Sequence, residues 1–169
     1  MQFRYGKITV KIGSNVLAKS DGTLNVSRIA HLVDQIAFLH KNGVEVVLVS
    51  SGAVAAGKAV LEPAKKIDAV SQRQLWAALG QVKLISRYSD FFSEHGLVCA
   101  QVLTTKENFS SRAHYLNMKN CITTLLENKV IPIVNENDTI SVTELMFTDN
   151  DELSGLMASM VNSEALILL

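Results

Sequence analysis

The feature that most restricts this chain is a set of short β-branched runs, each separated from the next by a stretch with helical periodicity. VEVVLVS, residues 44–50, is almost unbroken in its apolar character, the pattern of a strand that must be covered on both faces. Ile8, Val10 and Ile12 alternate up to Gly13, which reads as a strand over 7–13. LVCAQVL (97–103), VIPIV (130–134) and ALILL (165–169) read as three more. Between them, Ile29, Leu32, Val33, Ile36 and Leu39 recur at three and four, predicting a helix over about 27–42 that stops at Gly43. GAVAAGKAVL continues as a helix closed by Pro63. A longer helix over 71–94 carries Leu75, Leu79, Val82, Ile85 and Phe92 on one side and ends before Gly96. Further helices are expected at 112–129 and 151–162. Strand and helix alternate throughout, so the expected architecture is α/β: a three-layer αβα sandwich around a mostly parallel central sheet.

At 169 residues the chain has a one-domain length and can bury a substantial core. Nine glycines, two prolines and no low-complexity tract suggest no linker, so residues 1–169 are treated as one unit. Sixteen basic and sixteen acidic side chains cancel, which argues against nucleic acid or an anionic membrane as a partner. MQFRYGKITV lacks the apolar core of a signal peptide, and no apolar run reaches the length of a membrane span. Cys99 and Cys121 lie in no metal-ligand spacing and read as small core residues of a reduced, cytoplasmic protein.

Parallel sheets bind ligands beyond the carboxyl ends of their strands, which directs attention to GSN, SSG, TT and NEND after the first four. Lys11 stands inside the first strand just before Gly13 and Ser14. Its ammonium either meets an anion there, with glycine permitting close backbone approach, or guards an edge strand. Lys7 fits the edge role better. Ser50, Ser51 and Gly52 form a second exit, where a helix N-terminus could receive a carboxylate or phosphate, unless a serine simply caps that helix. GAVAAGKA has the G-x-x-x-x-G-K spacing of a phosphate loop, but Ala59 replaces the required Ser or Thr and AVAA favours helix. Asp149, Asn150 and Asp151 open like a calcium loop but lack glycine at the sixth position, where Ser154 stands. Asp149 or Asn150 can cap the next helix. The four histidines are scattered, so a zinc site or a histidine triad has little support.

The stretch NENDTISVTELMFTDNDELSG concentrates six carboxylates, Glu136, Asp138, Glu144, Asp149, Asp151 and Glu152. Together KIGSN, VVLVSSGAVAAG, IPIVNEND and FTDND, in that order, resemble the glutamate 5-kinases of the amino acid kinase superfamily, from about residue 7 to the last residue. The resemblance implies ATP-dependent phosphorylation of the γ-carboxylate of L-glutamate, with Mg2+ carried by ATP. It makes Lys11 the lysine on the transferred phosphoryl group and Gly13 and Ser14 part of the loop beneath the phosphates. Ser51, Asp138 and Asn150 match the positions that hold glutamate, with Asn135, Asp149 and Gly52 at the same pocket. Asp151 matches the acid that organises the lysines, and ISVTELMF falls where the family has a hairpin over the acceptor. Proline as feedback inhibitor and a homo-oligomeric assembly are further implications. The family's nucleotide half and its C-terminal RNA-binding-like domain would follow ALILL and are not in this sequence. The chain is therefore expected to be the acceptor-binding part of such a kinase, inactive by itself. A non-catalytic amino-acid-sensing module is the alternative.

Overall fold

The structure is a computed structural model that describes residues 3–19, 21–141 and 149–169. Five strands, Lys7–Ile12 (β1), Glu45–Ser50 (β2), Val98–Thr104 (β3), Val130–Glu136 (β4) and Ala165–Leu168 (β5), form one sheet in the order β3-β4-β2-β1-β5. Every pairing is parallel. The helices are Ser14–Leu17 (α1), Val26–Lys41 (α2), Ala53–Lys58 (α3), Ala69–Glu94 (α4), Glu107–Ser110 (α5), Arg112–Glu127 (α6) and Asn150–Met160 (α7). The chain steps in one direction across the sheet from β1 through β2 to β3, then returns through β4 to β5. Right-handed crossovers must then place the outgoing helices on one face and the returning ones on the other.

The two cores show that division. Ile29, Val33, Leu84, Tyr88 and Phe92 of α2 and α4 pack with Ile8, Val10, Val46, Leu48 and Ile131. On the opposite face, Ile122 and Leu126 of α6 and Leu153, Met157 and Met160 of α7 meet Val47, Val49 and Val134. Successive residues of β2 thus enter different cores, because side chains alternate across a strand. Each fully buried Val or Leu there contributes roughly 1.5–3 kcal/mol, so β2 ties both helical layers to the sheet. This is why its sequence is apolar without alternation.

Several sequence expectations need correction. β1 is paired on both sides, by β2 and β5, which removes the edge-strand explanation of Lys11. Lys7 instead forms an ion pair with Glu45 at 3.0 Å. The buried stripe of α4 is Ala77, Gly80, Leu84, Tyr88 and Phe92, whereas Val82, expected to face inward, is 66% exposed. Small residues mark that contact face because α3 crosses it backbone to backbone. A Cβ built at Gly80 would lie 1.7 Å from the Ala53 carbonyl oxygen, and one at Gly57 1.8 Å from that of Trp76. α3 stops at Lys58 rather than running to Pro63, and the short helices α1 and α5 were not expected. Cys121 is exposed, not a core residue. Cys99 is half-buried, and burial pushes its thiol up to about 11. Residues 142–148, which include Glu144 and most of ISVTELMF, lie outside the described residues.

The phosphate-loop lookalike has a structural explanation. Gly57 serves the α3–α4 crossing, and the Lys58 ammonium lies over the Trp76 ring, 5.7 Å from its centroid. Trp76 in turn donates its indole N–H to the Leu61 carbonyl at 2.9 Å. Lys58→Ala is therefore expected to cost about 1 kcal/mol of stability or less, the scale of an exposed cation–π contact. A loss of about 3 kcal/mol or more in urea unfolding, beyond what an exposed cation–π contact supplies, would contradict that packing role.

Candidate functional site

Because all five strands run parallel, their carboxyl ends gather the loops Gly13–Ser14, Ser51–Gly52 and Asn137–Asp138 and the start of α7 along one edge. A cavity of about 300 Å³ opens there, at the lower end of the volumes that hold small ligands. Its walls include Ser14, Ser51 and Gly52, the first turn of α3, Asn135, Glu136 and Asp138 from β4 and its loop, and Asp149 and Asn150. Arg73 of α4 completes the lining.

Asn150 joins three elements. Its amide nitrogen donates to Ser51 Oγ at 2.7 Å, to Asn135 Oδ1 at 3.2 Å and to the Ser50 carbonyl at 3.3 Å. Among the described residues its Oδ1 has no donor, so an acceptor stands free beside the cavity. Asn135, nearly buried, donates to Gln81 Oε1 at 3.0 Å, while its Oδ1 also accepts the Glu136 N–H at 2.9 Å. Ser50 lies beneath this layer, bonded to the Tyr88 hydroxyl at 3.0 Å. Burial pushes the Tyr88 phenol up to about 12. The carboxyl ends of β2 and β4, the start of α7 and one face of α4 are thereby tied together by side-chain amides and hydroxyls.

The capping alternatives resolve locally. Gly52 is the N-cap of α3 with φ 97°, in the left-handed region that glycine adopts without strain, and no side chain caps that helix. Neither Ser50 nor Ser51 has the capping role, so Ser51 is available to Asn150. Asp149 does cap α7, accepting the N–H groups of Asp151 and Glu152 at 2.9 and 3.1 Å. That cap fixes the first turn of α7, where the Asn150 amide meets Ser51 and Asn135 and the Asp151 carboxylate meets Lys11.

Lys11, with its side chain mostly buried, pairs with Asp151 at 2.6 Å. Gly13 makes room for this pair, since a Cβ there would stand 3.1 Å from the Lys11 ammonium. The Gly13 N–H itself donates to the Leu169 carbonyl at 2.9 Å. At the start of α1 the Val16 and Leu17 N–H groups donate to the Gly13 carbonyl at 3.1 and 3.3 Å. Asp138 is almost buried and is held by Arg73, whose Nε and Nη2 donate to one carboxylate oxygen at 3.1 and 2.7 Å.

The sequence reading did not include Arg73, Gln81 or Tyr88. All three stand on α4 at intervals of eight and seven residues, the spacing of one helix face, in line with the buried Ala77, Gly80, Leu84 and Phe92. Polar residues at core-facing spacing were the available signal.

The family model described as "Amino acid kinase family" matches residues 6–169. A protein named glutamate 5-kinase from Bacteroides thetaiotaomicron is 66% identical over 169 residues, covering all of this chain and 47% of that relative. Proteins of the same name from Chlorobaculum tepidum and a Thermoanaerobacter strain are 50% and 46% identical, over 98% and 96% of this chain and 46% and 44% of their own lengths. The chain thus spans about half the length of these curated relatives.

Proposed function

The chain belongs to the amino acid kinase family, and on that premise we propose that it supplies the acceptor-binding part of a glutamate 5-kinase, which transfers the γ-phosphoryl group of ATP to the γ-carboxylate of L-glutamate, the first step of proline biosynthesis. The observation that carries this reading is one small cavity walled by Ser51, Asn135, Asp138 and Asn150, adjoined through Ser14 and the start of α7 by the Lys11–Asp151 pair. An acceptor of this size with an ammonium at one end meets Asp138 and the free Asn150 Oδ1, while its far carboxylate is directed toward Lys11.

The chemistry needs charge neutralisation and alignment more than proton transfer. The γ-carboxylate is ionised at neutral pH and attacks phosphorus in line as the bond to ADP breaks. Lys11 offsets charge on the transferred group, and Asp151 fixes the position of its ammonium. Gly13 and Ser14 lie beneath the phosphates. Ser51, Asp138 and Asn150 hold the amino acid, with Asn135, Gly52 and the cap Asp149 keeping them in place. Magnesium enters with ATP; among the described residues no cluster of three or more His, Cys, Asp or Glu side chains could hold a metal ion. The same family reading makes L-proline a feedback inhibitor at this pocket, a homo-oligomer the working form and the cytoplasm its location. Among the described residues no helix is long and apolar enough to cross a membrane.

Asp138→Ala in the full-length protein tests the acceptor assignment. Removing a charge-assisted hydrogen bond of this kind costs about 1.5–3 kcal/mol, so calorimetric titration should show L-glutamate binding weakened roughly 10- to 150-fold. ATP affinity should stay within about twofold. Equal loss of both would refute the role of Asp138. Glutamate binding without turnover by the intact protein would favour the sensing module instead.

A further inference from the structure

We propose that Arg73 receives the α-carboxylate of the amino acid and, with Asp138, forms a two-charge clamp that selects a free α-amino acid. The inference rests on the glutamate reading above and deepens it.

Charge balance in the cavity is the first argument. Glu136, Asp138 and Asp149 bring three carboxylates to its walls, and Arg73 is the single cationic side chain among the described lining residues. Residues 142–148 contain no Lys, Arg or His that could add another. Glutamate carries two carboxylates and one ammonium. If its γ-carboxylate faces Lys11, its α-carboxylate would otherwise meet only acids and neutral dipoles.

Geometry is the second. Arg73 uses its Nε and Nη2 on one oxygen of Asp138. Its Nη1 has no partner among the described residues, which leaves the Nη1/Nη2 edge, the fork that matches a carboxylate bidentately. The second oxygen of Asp138 is likewise without a hydrogen-bond donor among the described residues. The pair therefore offers an anionic acceptor and a cationic donor side by side, the complement of an ammonium and a carboxylate on one carbon. Because Asp138 and Arg73 already neutralise each other, a zwitterion enters without uncovering a lone buried charge. Arg73 is half-exposed while Asp138 is nearly buried, so the open side is the one on which a ligand's carboxylate would lie. Gln74, next along α4, donates to the Thr139 carbonyl at 3.0 Å and holds the helix against the Asp138 loop.

The discriminating substrate is the α-amide of L-glutamate, which keeps the ammonium and the γ-carboxylate but presents a neutral group to Arg73. In the full-length wild-type protein kcat/KM for L-glutamate should exceed that for the α-amide by roughly 10- to 100-fold. In R73Q that ratio is expected to fall to within about threefold, with the change confined to KM for L-glutamate. R73K, which keeps the charge but not the fork, should lie between the two and carries the same test should R73Q fail to fold. A folded R73Q or R73K that retains the wild-type ratio would overturn the clamp while leaving the glutamate assignment standing. A wild-type protein that uses neither acceptor would overturn both.

Discussion

Replacing Lys11 with methionine in the full-length protein is expected to lower glutamate-dependent ATP turnover by roughly three orders of magnitude, the scale on which phosphoryl-transfer enzymes depend on a single positioned cation. L-glutamate affinity should fall far less, by roughly tenfold, because the γ-carboxylate also faces this ammonium. The expectation follows from where the side chain is and what holds it. Lys11 sits near the end of a strand paired on both sides, its stem is largely buried, and its ammonium meets Asp151 at 2.6 Å. Methionine fills nearly the same volume but leaves nothing to offset the charge of an incoming phosphate. Asp151 is half-exposed, so losing its partner leaves a carboxylate that water can solvate, and global stability should fall only modestly. A variant that keeps a tenth or more of wild-type turnover would remove Lys11 from the proposed mechanism.

The second large effect concerns packing. Gly80→Ala should destabilise the fold by about 3 kcal/mol or more, at the upper end of overpacking costs, read as a lower urea midpoint at unchanged slope. The added methyl group would sit 1.7 Å from the Ala53 carbonyl oxygen and 2.4 Å from the Gly57 nitrogen. Both are backbone atoms that no rotamer change can move. Relief requires α3 to shift, and α3 begins directly after Ser51 and Gly52, so acceptor binding should weaken in the same variant. Gly155→Ala is the control: it lies in α7 with no heavy atom within 4 Å of the added Cβ. It should stabilise by about 0.5–1 kcal/mol. Two identical substitutions with opposite signs would locate the effect in the α3–α4 crossing. A neutral Gly80→Ala would mean that the crossing has slack the structure does not show.

Most of the architecture could be read from the chain because each strand and long helix carries its own period. Val46 to Val49 and Ile8 to Ile12 need no neighbours to declare a strand, and Asn25, Asp68 and Asp149 cap their helices through side chains visible in the sequence. Periodicity failed where contact did not depend on hydrophobicity. The inward face of α4 is defined by Gly80 and Ala77, which score as nothing in an apolar pattern, and so Val82 was turned the wrong way. Lys11 was ambiguous for a related reason: whether a strand lies at an edge is set by strand order, and strand order is not written in any one strand.

The sequence alone determined the alternation of strand and helix, and with it that loops bearing Gly13, Ser51, Asp138 and Asn150 would meet at one end of a parallel sheet, since local patterns and right-handed crossovers leave little choice. Only the tertiary structure decided that α4 contributes Arg73, Gln81 and Tyr88 to that end, because their roles depend on which side of a long helix faces the sheet. That choice was made by the clearance between two backbones at Gly57 and Gly80, a short-range steric fact with no signature in hydrophobicity or charge.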